Sequence, residues 1–455
     1  MFETNPRSRR LCGHIFRLIL LLSPIVPIPS STTLITNYQR RFGFSDSIPR
    51  DTPSPDLSLV VVIPAHNEPD LIGTLESLYR CERPTQAVEI LIIVNASAKD
   101  APNIHAQNQE CIDEASAWIR QHNTPHLSFH LQHFPDLPKK HAGVGLARKI
   151  GMDEAAYRLY AAGHLDDGII VCFDADCSCQ PNFLTENARH FAENPTSSAC
   201  STYFEHPLSG PLRKELYQAA AAYELHLRYY VEALRTVDFP YAYHSIGSSM
   251  SVRARNYLQQ GGMNRKKAGE DFYFLQKLMI SATISELNTT TVYPSPRPSQ
   301  RVPFGTGRAI QQVLDGEEQT SYPYAAFRAV GALVTQINNL KEVPNAKPER
   351  FLSDIPQSIR SFLEINGLHE ATKEIAANVR NATQFQKRFW QWFNGFRCMK
   401  YLNWASESVY PRQAIMHVAS EPSLLARIKL DHKPPPDIPT LLDAYRDHQR
   451  AFKIP

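Results

Sequence analysis

Between residues 57 and 173, short unbroken apolar runs alternate with longer amphipathic stretches. Leu59 to Ile63 is continuously apolar and is closed by Pro64; Glu89 to Val94 and Gly168 to Phe173 repeat the pattern, and residues 127–132 read as a further strand. Runs of this length, free of alternation, read as parallel strands buried on both faces. The segments between them, 69–81, 108–122 and 143–163, carry helical spacing. Strand and helix in turn predict a mostly parallel α/β sheet flanked by helices. After residue 204 the alternation weakens. A long helix is predicted over 211–236, with Tyr217, Tyr223, Tyr229 and Tyr230 read as core. A second follows over 270–280, then a strand from Thr290 to Tyr293. From 311 to 455 the pattern is helix and loop only, with Trp390, Trp392 and Phe393 as core, and no internal repeat is evident. The expected division is an extension over 1–55, poorly ordered or a short apolar helix, an α/β domain over 56–310 and a helical domain over 311–455.

The extension needs its own reading. Arg7, Arg9 and Arg10 precede an apolar run from Leu18 to Ile28, interrupted by Pro24 and Pro27. The outline suits a signal or anchor, but the run is far shorter than the ~20 residues a spanning helix needs. A helix packed on the main domain and a disordered extension are the other two readings. Elsewhere no segment reads as transmembrane. Of 455 residues 43% are hydrophobic and 20% charged, which suits a soluble globular chain. The net charge of +3 gives no support to a nucleic-acid binder. Eight cysteines are scattered along the chain and do not form a disulfide framework. The lone C-x-C of Cys177 and Cys179 reads as half-buried loop residues rather than a zinc site. A reducing, cytoplasmic setting is expected, with peripheral membrane association left open by the N-terminus.

In a sheet of this kind ligands sit beyond the carboxyl ends of the strands. Phe173-Asp174-Ala175-Asp176 places two carboxylates at such an end. A hard divalent cation is often shared between one or two carboxylates and substrate phosphates, so Asp174 and Asp176 are candidates for Mg²⁺ or Mn²⁺. The alternative is an Asp turn or helix cap. Pro64-Ala65-His66-Asn67-Glu68 follows the first strand, where Asn67 and Glu68 either contact a ribose or base or cap the next helix. Glu270-Asp271 opens a predicted helix. Acids there are stabilised by the helix dipole, yet a carboxylate in a cleft is also the usual base for a sugar hydroxyl.

The order of these segments, with Val94, Gly145-Leu-Ala-Arg-Lys149, Gly261-Gly262 and Glu270-Asp271, resembles the family 2 glycosyltransferases over about residues 57–295. The resemblance implies a GT-A fold and an inverting, metal-dependent transfer of one sugar from a nucleotide-diphosphate sugar, UDP-sugar foremost. It places Pro64, Ala65, Asn67, Glu68 and Arg148 at the donor nucleotide, and Asp174 and Asp176 at the metal and diphosphate. Asp271, with Glu270, falls at the proposed base. Gly247, Ser248 and Ser249 fall on the acceptor side.

Two departures stand out. Where the family's second strand usually ends Val-Asp-Asp-Gly-Ser, this chain has Val94-Asn95-Ala96-Ser97. Asn95 is the candidate substitute, since an amide can pair with a pyrimidine edge. The Gln-x-x-Arg-Trp motif of processive members is absent, which points to single additions. From the residues alone, His244 is a candidate acceptor contact or a satisfied core histidine. Arg297, Arg301 and Arg308, in a Pro- and Gly-rich run, are candidates for a lid on the phosphates or for a salt-bridged connector. The acceptor is a carbohydrate, a lipid or a small molecule. The competing readings are a non-catalytic relative serving as a scaffold, and a nucleotidyltransferase, which would want a Gly-rich phosphate loop directly after the first strand.

Overall fold

The computed structural model describes residues 29–44, 51–266, 269–299, 305–344, 352–431 and 436–452. The apolar run Leu18 to Ile28 and Arg301 lie outside them. The strands of the main sheet are β1 (Leu57–Ala65), β2 (Ala87–Ser97), β3 (Leu127–Leu137), β4 (Ile169–Cys172), β5 (Cys177–Cys179), β6 (Ala199–Phe204), β7 (Met250–Arg253) and β8 (Ile284–Pro294). They lie in the order β3-β2-β1-β4-β7-β6-β8-β5. β1 runs parallel to β2 and β4, and β2 to β3; β7 is antiparallel to both of its neighbours. The expected mostly parallel sheet is thus present; four of the predicted strands are its first half, and the predicted strand Thr290 to Tyr293 lies within β8.

Register explains why the apolar runs coincide. Val61 faces Ile90 on one side and Val171 on the other, so the runs of β1, β2 and β4 end side by side. Side chains alternate across the sheet. Leu59, Val61 and Ile63 join one buried layer with α2 (Leu71–Tyr79), α3 (Pro102–His122) and α5 (Phe183–Glu193). Val60 and Val62 join the other with α4 (Val144–Ala161), α7 (Ala254–Gln259) and α8 (Glu270–Ser281). On that second face lies α1 (Ser31–Phe42), where Tyr38 donates to Asp153 at 2.5 Å and accepts from Lys149 at 2.8 Å.

Three expectations are corrected. β6, α5 and β7 lack long apolar runs and were not predicted; β6 reads Ala-Cys-Ser-Thr-Tyr-Phe, yet it is buried throughout within the sheet. Cys177 and Cys179 lie in an edge strand, β5, paired with β8, not in a loop. The C-terminal part is not wholly helix and loop: β9 (Thr320–Ser321) pairs antiparallel with β10 (Gln413–Ala414).

The long helix α6 (Lys214–Arg235) joins the sheet to the C-terminal helices. Ala221, Leu225 and Tyr229 enter a core with α10 (Tyr324–Asn338) and the helices over 357–451. Glu224, Arg228, Glu232 and Arg235 of α6 are buried too. Glu224 accepts from Arg228 and from Arg446, each at 2.8 Å, and Glu232 pairs with Arg235 at 3.0 Å and Arg427 at 3.1 Å. Arg446 belongs to the helix Ile438–Ala451, so that helix is fastened to α6 by buried ion pairs. Among the described residues no helix is long and apolar enough to cross a membrane.

This fastening carries an acid dependence. Burial pushes the Glu232 carboxyl up, but His448 and Arg235 beside it outweigh that and hold it at about 2, below the usual 4.5. The stability it contributes is complete above pH 4.5 and is lost as pH falls toward 2. Urea midpoints measured from pH 5 down to pH 2.5 are expected to fall more steeply in the native chain than in Glu232→Gln. Equal slopes would show that Glu232 is not a linkage site.

Candidate active site

The cleft forms where β1, β2 and β4 end together. Asp174, Ala175 and Asp176 lie between β4 and β5, and the turn is clamped from α2: Thr74 Oγ1 donates to the carbonyls of Ala175 at 2.8 Å and Cys177 at 2.9 Å. Thr74 was not singled out in the sequence, and nothing in a mid-helix threonine signals such a role. Asp174 and Asp176 keep about a third and a quarter of their side-chain surface exposed.

Arg148, from the second turn of α4, is fully buried and bridges Asp174 and Glu270. Two glycines shape this contact. A Cβ on Gly247 would lie 2.9 Å from both terminal nitrogens of Arg148, so the 247–249 segment packs directly on the guanidinium. A Cβ on Gly145 would collide with the Lys266 carbonyl, so the segment leading to Glu270 rests on the first turn of α4. Burial pushes Glu270 up to about 7 against the opposing charge of Arg148. Burial also raises Asp271, again opposed by Arg148, and its Oδ1 accepts from the Phe272 amide at 2.7 Å. Asp174, Arg148, Glu270 and Asp271 form one electrostatic unit, drawn from β4, α4 and α8. Tyr223 of α6, read in the sequence as core, feels the Asp271 charge and so lies close to this unit.

The segment after β1 is held from below. Pro64 and Ala65 end the strand, His66 Nδ1 lies 2.8 Å from the Asn95 carbonyl, and the Asn67 amide donates to Asn108 at 2.8 Å. Asn67 has φ 51°, a left-handed turn that an asparagine tolerates. Neither Asn67 nor Glu68 is the cap of α2; that is Asp70, which accepts from Gly73. Buried Glu68 instead pairs with Arg297 at 2.6 Å, and Arg297 lies 3.9 Å from Asp176. The Pro-rich run therefore does reach the carboxylate turn, through Arg297. Asn95, at the end of β2, is buried and its Oδ1 has no hydrogen-bond partner among the described residues.

Other candidates sit elsewhere. His244 Nε2 lies 3.0 Å from Gln449 Oε1, its ring edge against Phe204, and burial lowers it to about 3. It has the surroundings of a satisfied core histidine. Ser248 is buried against Cys177, and the Ser249 carbonyl accepts from Thr202 at 2.8 Å. Arg308 lies in the first turn of α9 (Thr306–Leu314), which is tied to the 295–299 run by Ser299 donating to the Gly307 carbonyl at 3.0 Å.

As for a metal, among the described residues no group of three or more His, Cys, Asp or Glu side chains is placed to hold one. Asp174 and Asp176, partly exposed at a strand end, fit the other arrangement, in which two carboxylates hold a hard cation whose remaining ligands are water and diphosphate oxygens.

The family model described as glycosyl transferase family 2 matches residues 60–259. Residues 60–259 form a family 2 glycosyltransferase domain. The match runs from β1 to α7 and includes Arg148, Asp174 and Asp176; Glu270, Asp271 and Arg297 lie beyond it. No curated protein matches the chain. Among solved structures it is similar to S. aureus TarS 1–349 in complex with UDP-GlcNAc, at 12% identity and TM-score 0.38, over 75% of this chain and 92% of that one. The UDP complex of the same protein is similar at 14% identity and TM-score 0.36, over 87% and 89%. Likeness of this degree says nothing of donor or acceptor.

Proposed function

We propose that this glycosyltransferase moves one sugar from a UDP-sugar to an acceptor hydroxyl with inversion, using a divalent cation held by Asp174 and Asp176. The observation that carries the reading is the four-residue unit of Asp174, Arg148, Glu270 and Asp271 at the strand ends of a family 2 domain. Asp271 takes the proton from the acceptor hydroxyl as its oxygen attacks the anomeric carbon opposite the diphosphate. One displacement inverts that carbon and needs one base, unlike the two carboxylates of a retaining glycosidase. Burial raises the affinity of Asp271 for that proton. Arg148 is engaged by two carboxylates and buried, so its role is to hold Asp174 and Glu270 in place. Arg297, already against Asp176, exchanges Glu68 for the donor's phosphates. A bound Mg²⁺ or Mn²⁺ offsets charge on the leaving diphosphate. Asn95 Oδ1 is an acceptor in need of a donor, which uracil N3–H supplies.

The test is a thermal-shift series with UDP, GDP, CDP and ADP, each with and without Mn²⁺. A ligand at 100 times its Kd adds about 2.7 kcal/mol, enough to read. Stabilisation by UDP that requires Mn²⁺ is expected, and Asp176→Ala is expected to abolish the Mn²⁺ requirement along with most of the shift. Mn²⁺-dependent UDP binding that survives in Asp176→Ala would remove Asp176 from the metal site. No shift with any nucleotide would count against a nucleotide-sugar donor.

A further inference from the structure

Two free thiols lie side by side next to the carboxylate turn. Cys81 follows α2 and Cys179 ends β5, and their Sγ atoms are 3.5 Å apart. A disulfide needs an approach to about 2.05 Å, a small closing movement. Cys179 is steadied by Ser77, whose Oγ accepts from its amide at 2.9 Å and lies 3.6 Å from its sulfur. The two thiols are not equivalent. Cys81, itself buried, has its Sγ 3.4 Å from the Ser77 carbonyl and 3.7 Å from that of Gln180. It is lowered by the Cys179 thiol against burial, with the Leu184 and Phe183 amides at the start of α5 and Arg83 adding to this. That is the electropositive setting that favours a thiolate. Cys179 is pushed up by its bond to Cys81 and by burial, so it stays a thiol. Cys111, Cys172, Cys177, Cys200 and Cys398 are each raised by burial, whereas Cys81, though buried too, is lowered by its neighbours.

We propose that Cys81 and Cys179 are an oxidation site, closing to a reversible disulfide on reaction with a hydroperoxide and weakening the adjoining donor site. The Cys81 thiolate attacks the terminal peroxide oxygen. The O–O bond breaks, leaving Cys81 sulfenic acid and an alkoxide, or hydroxide from hydrogen peroxide. The alkoxide takes the Cys179 proton, the Cys179 sulfur attacks Cys81, the S–O bond breaks, and the departing hydroxide takes up the proton that Cys81 released to solvent on ionising, giving water. Two thiols and one hydroperoxide become one disulfide, one alcohol and one water.

The effect on the donor site rests on the function proposed above. β5 begins one residue after Asp176, and Thr74 of α2 already grips the turn through Ala175 and Cys177. Drawing α2 and β5 together moves that turn.

The experiment treats the full chain with hydrogen peroxide, then maps peptides without reduction and titrates UDP with Mn²⁺. Expected are the loss of two hydrogens in intact mass, a peptide joining Cys81 to Cys179, and UDP affinity lowered about fivefold or more, all reversed by dithiothreitol. Cys81→Ser and Cys179→Ser, made separately, are each expected to prevent the cross-link and keep full affinity in peroxide. Absence of that peptide overturns the oxidation site. Its presence with unchanged affinity overturns the coupling. If the reduced chain binds no nucleotide, the functional reading fails, and the peptide map still decides the oxidation site.

Discussion

Asp271→Asn is expected to lower turnover by about a hundredfold to ten-thousandfold while donor affinity stays within a factor of two. The amide has nearly the shape of the carboxylate and still accepts from the Phe272 amide through its oxygen. What it cannot do is take a proton. The loss therefore belongs in kcat, with donor KM nearly unchanged, because the proposed mechanism gives this group no part in binding the diphosphate. Asp271 bears no ion pair to Arg148 of the kind Glu270 makes, so the folded chain is little disturbed. Single-turnover rates with saturating donor are the measurement. Turnover near that of the native chain would mean that another group takes the proton, and Glu270 would be examined next.

Arg148→Met is expected to have the largest effect on stability. The guanidinium is 2% exposed and stands between two carboxylates. Removing it leaves Glu270 buried with no countercharge, a change that typically costs about 3–5 kcal/mol. Arg148→Lys restores charge but not the fork that reaches both carboxylates, so an intermediate loss is expected. Urea unfolding at pH 7.5, above the value of about 7 that burial gives Glu270, is the measurement. A loss below about 1 kcal/mol for Arg148→Met would show that Glu270 simply takes up a proton. In that case the deficit should shrink further at pH 5.5.

These two residues also show what was readable in the sequence. Arg148 and Asp271 stand at opposite ends of 123 residues of chain, and only a family resemblance placed both in one cleft. The strands β1, β2 and β4 were legible because burial on both faces leaves a continuous apolar run, and β3 through the alternation of Leu127, Phe129 and Leu131. β6 was not, since its buried serine and threonine interrupt the apolar signal. Residue type could not distinguish a free histidine from His244, which is paired by Gln449 from more than 200 residues away. Arg297 was named among three arginines; only the fold picks out its contact with Asp176. Cys81 and Cys179 carried no spacing signal at all, because a helix end and an edge strand bring them together.

The ion pairs between α6 and the helix Ile438–Ala451 bear on how the chain is made. Glu224 is synthesised 222 residues before Arg446, one of the arginines that neutralise it. During that interval Glu224 has Arg228 but not Arg446 beside it, so α6 cannot settle against β6 in its final form. The glycosyltransferase module, though nearly complete in sequence, is expected to leave the ribosome open along that seam and to close only when the distant helix arrives. Chaperone engagement or proteolytic nicking on nascent chains should therefore concentrate at α6.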